Sequence, residues 1–270
     1  MPSWMVSLIW CLGFGFLAYT LLQAPWTWAR RAGMWMVFAT IGLALWFWSR
    51  DWVFALGGVA LWFVIPVVQA LIFSRGVRFS SERRLVQGPI DLEEFPEVNG
   101  LTRDLRGEGF VSTGDHWLRP SPFEQGYRLF RHGEEAIDAA LAVVRQGSVS
   151  LSYLILVSRD SDGQYWITWN YPLAYGMRMP PEIFIHRFPA AESFTELLEQ
   201  HREFLRVNGV VPVSPEEMRP EERFDAFFGS TLEHNRRIGL LQETNSGALG
   251  YSWKGSIFIG WQVLCQAVRG

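Results

Sequence analysis

Five histidines, His116, His132, His186, His201 and His234, are the side chains of this sequence best suited to moving protons near neutral pH. Acid–base or metal chemistry needs them to converge, and no two stand at a useful ligand spacing. Asp115–His116 is the most reactive-looking dipeptide, yet neighbouring residues on a strand point to opposite faces. His201, between Glu199 and Glu203, reads as part of a solvated helix face. His132, ahead of Gly133–Glu134–Glu135, reads as a turn residue. Phosphate-loop, dinucleotide, zinc-protease and nucleophile-elbow motifs are all missing. Cys11 and Cys265 have no CxxC spacing and suggest neither a disulfide framework nor a zinc site. Asp160–Ser161–Asp162–Gly163 resembles the start of a calcium loop but lacks the later acidic ligands. Its Asp-Gly step marks a tight turn instead. No catalytic residue, metal ligand or cofactor-binding residue is assigned.

The other chemistry-bearing feature is aromatic. In QYWITWN, strand alternation puts Tyr165, Ile167, Trp169 and Tyr171 on one face and Trp166 and Thr168 on the other. One face is expected in a core. The other presents Trp166, a residue type enriched at binding hot spots, as a candidate partner contact. Trp261, on an amphipathic C-terminal segment, is a second candidate.

These groups have to be positioned by a lopsided chain. Up to Phe73 the only charged residues are Arg30, Arg31, Arg50 and Asp51. Residues 74–270 carry 21 basic and 26 acidic side chains, a net charge of −5, which argues against nucleic acid as the main partner. A bilayer core needs roughly 20 apolar residues in a helix. Three such runs are present, at about 4–22, 31–48 and 52–73. One helix over 33–73 would be roughly 60 Å long, about twice the hydrocarbon thickness. It would bury Arg50 and Asp51 mid-bilayer, at a cost of at least ~2.5 kcal/mol per charge. The stretch WFWSRDWVF therefore predicts a turn at Ser49–Arg50–Asp51. Trp46, Trp48 and Trp52 flank that turn, and Trp26 and Trp28 flank the preceding loop, as interfacial aromatics do. Arg30, Arg31, Arg75, Arg78, Arg83 and Arg84 set the topology by the positive-inside rule. They place the N-terminus outside and residues 74–270 mainly in the cytoplasm; the expected location is a bacterial inner membrane.

The expected organisation is a three-helix transmembrane bundle over 1–74, a basic juxtamembrane linker over 75–92, a cytoplasmic α+β domain with an antiparallel sheet over 93–210, and a helical arm over 211–270. Pro96 to Arg106 reads as a short helix. LSYLILVSRD and QYWITWN read as a hairpin, with QGYRLFRH and EIFIHRF as further strands. Residues 134–146 are ambiguous between helix and strand, with strand favoured by their place before the hairpin. ESFTELLEQHREFLRVNG is a helix, capped by Ser193 with Glu196 three residues on and ended at Asn208–Gly209. A longer helix follows from about Glu221 to Leu241. Residues 256–268 fit a helix on the membrane surface, one packed on the domain, or one that enters the bilayer, though the run is short for a span.

The order LTRDLRGEGF, DSDGQYWITWN, FTELLEQHREFL over residues 90–210 is similar to that of cytoplasmic domains in uncharacterised bacterial membrane proteins. That resemblance implies no activity, and no site residues carry over. The expected function is an accessory or scaffold subunit, with the lipid bilayer and other membrane-protein subunits as partners. An enzyme acting on a lipid-linked substrate and a small-ligand sensor are the alternatives.

Overall fold

The computed structural model describes residues 3–24, 27–80, 83–121, 123–146, 149–173, 175–191, 193–213, 218–245 and 247–269. Its contacts divide the chain into two compact units, one helical and one α+β.

The helical unit contains α1 (Ser3–Leu22), α2 (Thr27–Ser49), α3 (Trp52–Gly76) and α7 (Trp253–Arg269). Among the described residues one helix, Ala32–Ser49 within α2, is long and apolar enough to cross a membrane; α1 and α3 contribute shorter apolar stretches. The turn expected between α2 and α3 is present. Arg50 takes a left-handed backbone (φ 57°), uncommon without glycine. The Ser49 hydroxyl accepts from the Asp51 N–H at 3.1 Å, and the Asp51 carboxylate accepts from the Val53 N–H at 2.8 Å, capping α3. The Arg50 guanidinium lies 5.7 Å from the Trp46 ring centroid. Small residues let α1 and α2 approach closely: Ala18 and Ala29 are buried, and a Cβ on Gly33 would fall within 3.0 Å of the Ala18 carbonyl oxygen.

Helix α7 belongs with these helices rather than with the α+β unit. It runs beside α3, where the buried hydroxyls of Ser74 and Ser256 are 2.9 Å apart and Gly260 lies against Val67. Trp253, Ile257 and Trp261 of α7 are exposed.

The α+β unit is organised by a seven-stranded sheet in the order β2-β3-β4-β5-β6-β7-β8. The strands are β2 (Arg84–Gln87), β3 (Phe110–Arg119), β4 (Glu124–His132), β5 (Ile137–Gln146), β6 (Val149–Arg159), β7 (Tyr165–Trp169) and β8 (Ile183–Arg187). All neighbours are antiparallel except β7 and β8. The ambiguous stretch before the hairpin is therefore strand. Residues 75–92, expected as a linker, hold β1 (Arg78–Phe79) and β2. Residues 211–270, expected as a helical arm, hold α6 (Pro220–Arg237), β9 (Leu241–Glu243) and β10 (Leu249–Tyr251) besides α7. A small sheet pairs β1 with β10 and β10 with β9.

Both faces of the large sheet are covered. Helices α4 (Glu97–Gly107) and α5 (Phe194–Val207) bury Val98, Leu105, Leu197 and Leu198 against Phe130, Leu141, Val143 and Leu156. Helix α6 takes the other face, with Phe228 packed on Tyr127 at 5.3 Å between centroids. This explains why Ala139 to Val143 and Leu154 to Val157 are buried without alternation. Ser193 caps α5 as expected, accepting from the Glu196 N–H at 3.2 Å, and Gly209 (φ 66°) follows its end.

Candidate functional site

The histidines do not converge. His132 is the last residue of β4 rather than a turn residue: its Nδ1 accepts from the Glu134 and Glu135 N–H groups, which leaves Nε2 to donate to the Glu108 carbonyl at 3.0 Å. His186 stacks on Phe204. His201 overturns the solvated-face reading. It is fully buried, 2.9 Å from the Thr168 hydroxyl and 3.0 Å from that of Ser158. Burial, reinforced by His186 and Arg202, lowers its pKa to about 3. The Ser158–His201–Thr168 chain is sealed, with all three side chains inaccessible. It cross-links β6, β7 and α5 and cannot meet a substrate. Charged neighbours hid this in the sequence; the signal available was the spacing to Leu197, Leu198 and Leu205, which puts His201 on the apolar stripe.

Asp115 and His116 point to opposite faces. A bulge at Gly114 shifts the β3–β4 register and turns Asp115 toward β4. There it takes a bidentate pair from Arg128, at 2.7 and 2.8 Å, and a hydrogen bond from the Ile90 N–H. Arg128 also donates to the Thr102 hydroxyl on α4 at 3.2 Å. Burial works against the Asp115 charge, but the hydrogen bonds from Arg128 and Ile90 outweigh it and hold the carboxyl below its usual range. The pair is a clamp joining loop, strand and helix, with its donors already engaged. A shallow polar cleft of about 470 Å³ opens beside it, toward Arg106 and Ser112.

Trp166 is corrected as a partner contact. It is buried (7% exposed), stacked on Phe184 at 4.5 Å, and its indole N–H donates to Asp160 at 2.9 Å. Alternation had assigned it an outer face, but α5 covers that face. The turn reading of 160–163 stands: the Asp160 carboxylate accepts from the Asp162 and Gln164 N–H groups, and Gly163 has φ 82°. Trp261 is exposed on α7. Trp28, Trp46, Trp48 and Trp52 are exposed on α2 and α3, and Trp26 lies outside the described residues. Arg30 and Arg31 fall in α2. Arg75 lies over the Trp253 ring and Arg83 over Phe79 and Phe228.

Sequence reading missed the buried ion pair of the α6 face. Arg223 of α6 meets Asp138 of β5 at 2.6 Å, both 2% exposed, and Arg131 reaches the same carboxylate at 3.2 Å. It also missed the larger cleft, about 850 Å³, at the corner of β2, β3 and β4, where Arg84, Arg119 and Trp117 line the wall. Its volume lies in the range of small-molecule sites. Among the described residues no group of three or more histidine, cysteine or acidic side chains is arranged to hold a metal.

Comparison of the chain with protein-family models, with curated proteins and with solved structures returns no match.

Proposed function

We propose that the chain is an integral membrane protein in which α1, α2 and α3 cross a bacterial inner membrane, and that its α+β unit is a cytoplasmic binding module serving a larger membrane complex. The observation that carries this reading is the exposure of large apolar side chains along the helices. Trp10, Leu12 and Phe16 on α1, Trp35 and Trp48 on α2, and Phe54, Leu61 and Ile72 on α3 face outward. In water such patches mark interaction or membrane surfaces; in lipid they are the ordinary exterior of a bundle. The tryptophans around Arg50 then sit at headgroup level, and α7 adds Trp253, Ile257 and Trp261 to the same apolar exterior. Orientation rests on the arginines: Arg30 and Arg31 at the start of α2 and Arg75 at the end of α3 face Arg50 across the bilayer. Binding is favoured over catalysis because His132 and His201 are engaged by structural partners, and Asp115 by Arg128.

Two measurements test the reading. In a chain whose Cys11 and Cys265 are replaced by serine, Asp51→Cys should react with a membrane-impermeant maleimide in intact cells, and Asp104→Cys only after permeabilisation. The reverse pattern inverts the topology, and equal labelling of both before permeabilisation removes the membrane reading. The second is purification of the tagged chain from native membranes in mild detergent. A stoichiometric complex is expected; a lone monomer or homodimer sinks the subunit assignment.

A further inference from the structure

The large cleft at the β2–β3–β4 corner holds an electrostatic anomaly. Arg84 and Arg119 are directly opposite each other on antiparallel strands, on one face of the sheet. Like charges in that relation destabilise a sheet. Among the described residues neither guanidinium forms an ion pair. Among the described residues that line the cleft Glu124 is the one acidic side chain, and it is already paired with Arg145, which also holds Glu94 at 2.8 Å. The Asp225 carboxylate of α6 acts on Arg84 through space, but it accepts its 2.7 Å hydrogen bond from the Leu85 N–H. Two exposed positive charges therefore face the same cleft, and among the described residues neither is held in an ion pair.

The neighbouring surface is built to go with them. Trp117, two residues before Arg119, is tied by its indole N–H to the Pro89 carbonyl at 2.9 Å. Gly126, directly opposite it on β4, leaves room for the ring: a Cβ there would stand 3.4 Å from the indole carbons. The Arg119 guanidinium is poised over this ring, 5.9 Å from its centroid. Val86 and Phe123 extend the apolar wall, and Ser121 and Gln125 add polar groups. A forked pair of guanidiniums beside a flat aromatic surface matches an oxyanion joined to an apolar or planar body.

We propose that Arg84 and Arg119, with Trp117 as the stacking wall, form a binding site for a phosphate-bearing ligand, whether a soluble phosphate ester or an anionic lipid headgroup. The inference stands apart from the membrane reading, since the cleft is closed by residues of the α+β unit alone.

The test uses the full chain in phosphatidylcholine nanodiscs. Phenylglyoxal modification of each arginine is read by mass spectrometry with and without phenyl phosphate, and again in nanodiscs containing one-fifth phosphatidylglycerol. Selective protection of Arg84 and Arg119 by phenyl phosphate assigns a soluble ester; protection only by phosphatidylglycerol assigns a headgroup; protection by both assigns the shared phosphate chemistry. Arg84→Gln with Arg119→Gln should weaken binding of the protecting probe at least tenfold, while Arg103→Gln with Arg237→Gln, which removes the same charge elsewhere, should leave it within twofold. No protection by either probe overturns the proposal, as does an equal loss in the control pair or full affinity in the cleft pair. The footprint on the unmodified chain keeps the result independent of whether the variants fold.

Discussion

At the scale of single residues, burial decides which groups titrate and which only hold structure. His201 has a folded pKa of about 3 against about 6.5 when unfolded. Between those values the unfolded chain binds the extra proton, so stability is complete above about pH 6.5 and declines as pH falls toward 3. The slope should approach about 1.4 kcal/mol per pH unit. His201→Gln, which cannot titrate, should flatten it; urea unfolding of both proteins across pH 4–7 measures the difference, and an unchanged slope would move the effect to another group. The Arg223–Asp138 pair behaves differently because both partners are charged and enclosed. Arg223→Met leaves a buried carboxylate with only Arg131, and should cost about 3–5 kcal/mol. Adding Asp138→Leu should recover most of that loss, because the penalty is the stranded charge rather than the missing attraction. If the double variant is as unstable as the single, packing rather than charge governs the site.

At the scale of elements, what the sequence revealed was what local chemistry determines. The Ser49–Arg50–Asp51 turn, the Ser193 cap, the end of α5 at Gly209 and the Asp160–Gly163 hairpin each depend on residues within a few positions of one another. What stayed hidden depends on distant cover. Trp166 and His201 lie on β7 and α5, whose burial is decided by their packing on each other. The Arg84–Arg119 pair exists only because β2 registers against β3 from about 35 residues away, and β2 itself is a four-residue strand in a segment that reads as a linker. In the helical unit the same lesson applies to glycine. A Cβ on Gly58 would run into Leu45 and one on Gly42 would stand 3.3 Å from Val59, while one on Gly13 or Gly57 would meet nothing within 4 Å. Gly33 makes the closest backbone approach among them, to Ala18 and Leu22. Gly33→Leu would drive a side chain into the α1 backbone and should cost about 1–3 kcal/mol, with Gly57→Leu nearly neutral. Thermal unfolding in detergent separates the two; equal effects would mean that α1 and α2 do not pack through Gly33.

At the scale of the whole molecule, the chain enters the α+β unit through β1 and leaves it through β10, and these two strands pair, Arg78 with Gly250 and Phe79 with Leu249. The unit is thus an insertion between α3 and α7 whose two ends are tied together. A domain closed in this way carries its own boundary. Residues 77–252 should therefore fold alone, unfolding in one cooperative urea transition with a protected β5. The limits 93–210, which the sequence suggested, should not behave so. They omit β2 and α6, exposing the face that bears Tyr127 and Leu129 and leaving Asp138 without Arg223. Removing α6 alone exposes Phe224, Phe227 and Phe228 contacts that are buried in the intact unit, a loss of several large side chains at roughly 1.5–3 kcal/mol each, comparable with the total stability of an ordinary domain. Amide exchange on both fragments reads the outcome. Strong protection of β5 in the shorter fragment would show that α4, α5 and the sheet suffice, and that α6 is a cover rather than part of the core.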